Sequence, residues 1–70
     1  MRPMISVRVN GAPDRVEDGA TLLDVLQKLD VRVDAVAVAV NRAVVPRSRL
    51  GEHALREGDL IEIVRAVGGG

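Results

Sequence analysis

Period-two alternation opens the chain. Met4 leads into Ile5-Ser6-Val7-Arg8-Val9, where apolar and polar residues exchange at every step, the pattern of a half-buried strand. Asn10-Gly11 follows, a pair tolerant of positive φ and a strong hairpin signal. A short return strand is expected around Asp14-Arg15-Val16, closed by Asp18-Gly19. The period then changes. Thr21 is a good helix N-cap with Asp24 three residues on, approaching a capping box. Leu22, Val25, Leu26 and Leu29 recur at helical spacing and form the expected core stripe, while Asp24, Gln27, Lys28 and Asp30 face away. This predicts one amphipathic helix of about two to three turns, enough to cover one face of a small sheet.

After a charged connection, Val31 to Asp34, the stretch Ala35 to Asn41 alternates small with large residues. Val36, Val38 and Val40 share one strand face, leaving alanines on a lightly covered back, a pattern that fits a central strand. Asn41-Arg42 turns the chain into Ala43-Val44-Val45, and Pro46 ends that run, so it should be a short edge strand. From Arg47 to Leu55 no period holds; a loop with one helical turn is expected, anchored inward by Leu50 and Leu55. Arg56-Glu57-Gly58-Asp59 then makes a tight turn into the last strand. There Ile61 and Ile63 take one face, and Leu60, Glu62 and Val64 the other.

The predicted order is strand, strand, helix, strand, strand, strand and tail. A hairpin, a helix crossing one face and a late strand returning beside the first make an α+β roll. With right-handed crossovers the economical solution is the β-grasp: a mixed sheet of four to five strands crossed by one helix. Residues 1–67 form that domain and residues 68–70 a flexible tail. Met1-Arg2-Pro3 reads as a short leader.

Composition narrows the function. At 70 residues the chain makes one domain, close to the lower limit for folding without staples. There is no Cys, hence no disulfide, thiolate metal site or thiol nucleophile, which fits a reducing cytoplasm. With no Phe, Tyr or Trp, the core is aliphatic, each buried Val, Leu or Ile contributing about 1.5–3 kcal/mol. The same absence removes the stacking platforms that single-stranded nucleic acids require. Ten acidic and ten basic residues cancel, so steering toward polyanions is unsupported. No segment is apolar enough to span a membrane.

Catalytic constellations fail one by one. His53 is the only histidine and lacks a second ligand to join it on a metal. Ser48 lies between two arginines with no local base. Asp30, Asp34, Glu52, Glu57 and Asp59 are scattered over turns and helix ends, suited to capping or solvation. Arg47 and Arg49 are either a contact for phosphate or an acidic partner, or ordinary solvated surface. Leu60 and Val64 form an exposed apolar pair suited to docking. The remaining feature is Gly68-Gly69-Gly70, following the last strand without a polar spacer. A glycine end has no Cβ, can thread a narrow channel, and offers a carboxylate ionised at neutral pH. Taken alone it reads as an ordinary, meaningless terminus, since a linker remnant looks the same.

The body of the chain supplies what the tail lacks. Val38-Ala39-Val40-Asn41-Arg42-Ala43-Val44-Val45-Pro46-Arg47-Ser48, then Glu57-Gly58-Asp59-Leu60-Ile61-Glu62-Ile63-Val64, then Ala66-Val67-Gly68-Gly69-Gly70, resembles the ThiS family of sulfur carriers in thiamine biosynthesis. Val9-Asn10-Gly11 and Thr21-Leu22-Leu23 extend the likeness over residues 4–70. The resemblance implies a ubiquitin-like fold and a protein that is a substrate of other enzymes rather than an enzyme. Gly70 would be adenylated by a ThiF-like adenylyltransferase using ATP, with no cofactor held by the carrier itself. A cysteine desulfurase relay would then convert it to a thiocarboxylate, whose sulfur goes to a ThiG-like thiazole synthase. Gly68 and Gly69 would thread the partner's channel, and the positions read above from their own chemistry, Leu60 and Val64 with Arg47 and Arg49, are the candidates for meeting the partner. Rival readings are the carrier of molybdopterin synthase, a modifier joined to target proteins, and a structural β-grasp module with an incidental tail.

Overall fold

A computed structural model describes residues 2–65. The expected tail, Gly68, Gly69 and Gly70, and the domain boundary at residue 67 lie outside the described residues.

Strand β1 spans Met4–Val9 and buries Val7, with Ile5 and Val9 half-buried on the same side. Asn10 and Gly11 take φ of 51° and 84°, the left-handed pair of a type I′ turn. Strand β2, Ala12–Glu17, returns antiparallel with β1 along its whole length, from Val9 opposite Ala12 to Met4 opposite Glu17. It is longer than the short segment expected around Asp14–Val16. Pro13 does not interrupt it for two reasons. The strand is at a sheet edge, and Pro13 stands one pair beyond the turn, where ladder bonds alternate away from the partner.

Helix α1, Leu22–Lys28, begins with a full capping box. Asp24 N donates to Thr21 Oγ1 at 3.3 Å, and Thr21 N donates to Asp24 Oδ2 at 2.9 Å. Leu22, Val25 and Leu26 are buried as expected, but Leu29 is 42% exposed. The helix stops one residue too early for Leu29 to face inward. Asp30 adopts φ 57°, its N–H bonds the Gln27 carbonyl, and Val31 N–H reaches the Leu26 carbonyl at 2.9 Å. Those are the two bonds of a Schellman ending. Leu29 becomes the C-cap, and the half-buried Val31 packs on the core in its place.

Strand β3, Val36–Val40, buries Val38 and Val40, with Val36 half-buried. A second left-handed pair, Asn41 and Arg42 at φ 52° and 71°, leads to β4, Ala43–Val45. A 3₁₀ turn at Arg47–Arg49 then places Leu50 and, further on, Leu55 in the core. That loop also satisfies the start of the helix: Leu22 N donates to the His53 carbonyl and Leu23 N to the Leu50 carbonyl. Strand β5 is Leu60–Arg65.

The sheet order is β2-β1-β5-β3-β4, with β5 parallel to β1 and antiparallel to β3. The late strand therefore becomes the central one, and β3 lies just beside it. Val7, Leu22, Val25, Leu26 and Ile61 are the largest fully buried side chains. They join helix to sheet without an aromatic ring.

An exposed ion pair ties α1 to β2. Lys28 Nζ donates to Asp14 Oδ1 and to the Arg15 carbonyl, each at 3.2 Å. The Asp14 carboxyl is held below its usual range, first by the Arg15 backbone N–H it accepts and then by Lys28. Because the folded-state value is depressed, this group stabilises the fold above its unfolded pKa, about 3.9. The contribution is lost as pH falls through the folded value. Lys28→Gln is expected to raise the Asp14 pKa only part of the way back, since the N–H remains. A carboxyl-carbon NMR titration measures this; full recovery would make Lys28 the dominant cause.

Candidate docking face and the exit of the last strand

Strand β5 is held in place by two asparagines. Asn10 N donates to the Ile61 carbonyl at 2.9 Å, and its side chain continues the ladder past the end of β1. Asn10 Oδ1 accepts from Ile63 N at 2.8 Å, and Asn10 Nδ2 donates to the Ile63 carbonyl at 3.2 Å. On the other side Asn41 exchanges bonds with Leu60: its backbone N donates to the Leu60 carbonyl, and Leu60 N donates to Asn41 Oδ1. Asn41 Nδ2 also reaches Asp59 Oδ1 at 3.0 Å, while Asp59 Oδ2 accepts from Arg56 N at 2.8 Å. Asp59 is thus a buried turn cap, one of the roles its sequence position allowed. Both asparagines sit at the first position of a type I′ turn. That places their short amides beside the neighbouring strand, where they act as extra backbone.

With β5 so fixed, its alternation decides what faces outward. Ile61 is buried and Ile63 half-buried under the helix, while Leu60 and Val64 are 46% and 62% exposed on the opposite face. The register adds neighbours. Val64 lies opposite Ala37; Glu62 lies opposite Ala39, which in turn faces Val44 on β4. Val44 is 75% exposed. Leu60, Val64 and Val44 thus share a face floored by Ala37 and Ala39, with Glu62 among them. Sequence reasoning missed Val44. Continuing the pairing across the two-residue turn, Val40 to Ala43 and Ala39 to Val44, would have placed it on the alanine back.

The end of β5 is framed differently. Arg65 pairs with Val36, immediately after the 3₁₀ turn Val33–Ala35. Arg32 binds the Asp34 carboxylate through Nε and Nη2 at 3.3 and 3.0 Å, and Arg47 Nη2 donates to the Asp34 carbonyl at 3.3 Å. This fork is the main reason the Asp34 carboxyl lies below its usual range. Arg47 therefore stands at the end of the sheet where Val36 pairs with Arg65. Arg49 is separated from it, ion-paired with Glu52 at 3.7 Å beside β4, where both line a hollow with Val44, Pro46 and His53. His53 is half-buried, and no cluster of metal-binding side chains occurs among the described residues. Nor is any helix among them long and apolar enough to cross a membrane.

A five-stranded mixed sheet grasping one helix, with a parallel pair at its centre, defines a β-grasp domain. The ThiS family model matches residues 7–70, nearly all of the chain and the glycine end with it. The chain belongs to the ThiS family of sulfur carrier proteins in thiamine biosynthesis.

Its relatives include the sulfur carrier protein ThiS of Thermus thermophilus, 36% identical over 91% of this chain and 98% of that one. Another is the thiazole synthase of Magnetococcus marinus, 41% identical over 94% of this chain. The match spans only 20% of that longer protein's length. Among solved structures, the thiamine biosynthesis protein ThiS of Geobacter metallireducens superposes with a TM-score of 0.82 at 28% identity. The match covers 94% of this chain and 100% of that one.

Proposed function

We propose that this chain carries sulfur on Gly70 for formation of the thiazole ring of thiamine. The observation that supports this most directly is the family match running through residue 70, on a body whose central strand leads toward that end. In the proposed cycle a ThiF-like adenylyltransferase binds ATP and the carrier. A Gly70 carboxylate oxygen attacks the α-phosphorus, the bond to the departing pyrophosphate breaks, and an acyl-adenylate remains. The outer sulfur of a persulfide carried by a cysteine desulfurase relay attacks the acyl carbon, and AMP leaves with the electron pair of the C–O bond, giving an acyl disulfide. A thiol then cleaves its S–S bond, forming a disulfide with the relay cysteine and leaving Gly70 as the thiocarboxylate. A ThiG-like thiazole synthase accepts that sulfur; the Magnetococcus relative, named for that activity, supports this partner. Gly68 and Gly69 supply a neck without Cβ atoms for the partner's channel.

The chain's own residues do the presenting. Leu60, Val64 and Val44 dock the carrier, and Arg47 stands beside the departing strand. Arg49 contributes at the β4 edge.

Incubation with ATP, the activating enzyme and a sulfur donor should give an intact-mass gain equal to sulfur replacing one oxygen. An unchanged mass under conditions that load an authentic carrier overturns the proposal. Leu60→Asp should weaken binding to either enzyme about tenfold or more, since a desolvated carboxylate at an apolar contact is costly. Thermal stability should hardly move, because Leu60 faces solvent in the free protein. An unfolded variant would instead make Leu60 part of the core.

A further inference from the structure

The protein contains the same turn twice, with one difference. Asn10-Gly11 and Asn41-Arg42 both take the left-handed pair of φ values, 51° and 84° against 52° and 71°. A Cβ placed on Gly11 would meet nothing within 4 Å, so backbone conformation and not space makes glycine the natural residue there. At the matching position the second turn carries Arg42, a side chain that this conformation disfavours.

Arg42 is also found where a guanidinium has something to do. Together with Arg8, Leu60 and Glu62 it lines a hollow of about 460 Å³ on the docking face, bordered by the Asn10-Gly11 turn. Arg8 lies opposite Leu60 in the β1–β5 register. The three ion pairs among the described residues use Lys28, Arg32 and Arg49, and neither Arg8 nor Arg42 takes part in any. Arg8 donates to the Gly11 carbonyl at 3.3 Å. Glu62 lines the hollow without ion-pairing to either arginine. Two cations thus flank Leu60 against one carboxylate.

We propose that Arg42, with Arg8, is a specificity determinant of this face and receives an aspartate or glutamate side chain of thiazole synthase. This rests on the reading that the Leu60 face docks. A guanidinium pair beside an apolar contact suits a single carboxylate at the edge of a protein interface, where a forked hydrogen bond fixes orientation. The exposed Leu60, Val44 and Val64, with Glu62 among them, disfavour a polyanion and favour a partner with an apolar centre and one acid. Retaining arginine in a strained conformation is then explained by partner selection.

The test compares Arg42→Gly, Arg42→Lys and Leu60→Asp in full-length carrier, by titration against thiazole synthase at low and high salt and by thermal unfolding. Arg42→Gly is expected to raise Tm by a few degrees, weaken binding about tenfold and flatten its salt dependence. Arg42→Lys should keep the wild-type Tm and lose less affinity. A stability gain coupled to an affinity loss is not what an idle surface arginine would give. If Arg42→Gly binds as wild type while Leu60→Asp does not, the face docks but Arg42 does not select, and the inference falls. If both bind as wild type, the docking face itself is misassigned and the inference falls with it.

Discussion

Deletion of Gly70 is expected to abolish thiocarboxylate formation while leaving the folded domain and its docking intact. The shortened chain still ends in a glycine carboxylate, so its reactivity is unchanged. Only its reach differs, by about 3.5 Å, one residue of extended chain. That is several times the displacement of about 1 Å that can cost a hundredfold when a reacting group must meet a fixed site. Tm should be unaffected, because the β5 pairs that hold the sheet together run from Leu60 to Arg65 and do not use Gly70. Affinity for the activating enzyme should change little, since Leu60, Val44 and Val64 are untouched. Intact mass after incubation with ATP, enzyme and sulfur donor is the readout. Sulfur loading at the wild-type rate would mean that the terminal residue's position is immaterial and the carrier reading wrong. Loss of loading together with unfolding would trace the effect to the body instead.

Much of the fold was legible because local signals and global packing agree. The alternation of Ile5, Val7 and Val9, the Leu22/Val25/Leu26 stripe and the Thr21 cap each name their element without tertiary help. The two departures came where a local choice depends on something not adjacent in sequence. The length of β2 is set by β1, which pairs with every residue of it, and not by its own weak pattern. Leu29 continues the helical period correctly, yet Asp30 turns left-handed and the chain closes on Val31 instead. Periodicity shows which face a residue would take if the helix continued. It does not say where the helix stops.

The face proposed for docking was legible in half. Leu60 and Val64 follow from the β5 alternation alone, whereas Val44 requires knowing that β4 lies two strands away in the same sheet. Arg47 and Arg49, two positions apart in sequence, have separate partners in space, one at the sheet end and one beside β4. Arg8 and Arg42, which border Leu60 directly, lie 34 positions apart and become neighbours of one residue only through the parallel β1–β5 pair and the β3–β4 turn. Polar surface residues carry no period that announces their neighbours.

Within the helix, the largest stability effect should fall on Leu26. It is fully buried beneath the sheet, in a core with no aromatic ring to bridge a gap. Leu26→Ala is expected to destabilise by about 2–5 kcal/mol, the transfer term plus the cavity left behind. A domain of this size has a total stability of roughly 4–10 kcal/mol, so the variant should be partly unfolded at 37 °C. Leu29→Ala should cost less than about 0.5 kcal/mol, as for other exposed positions. Urea titrations followed by circular dichroism at 25 °C would measure both. The pair separates two arrangements of one sequence pattern: a helix ending at Lys28 with Val31 inside, and a longer helix with Leu29 inside. Equal losses at the two positions would favour the longer helix and displace Val31 from the core.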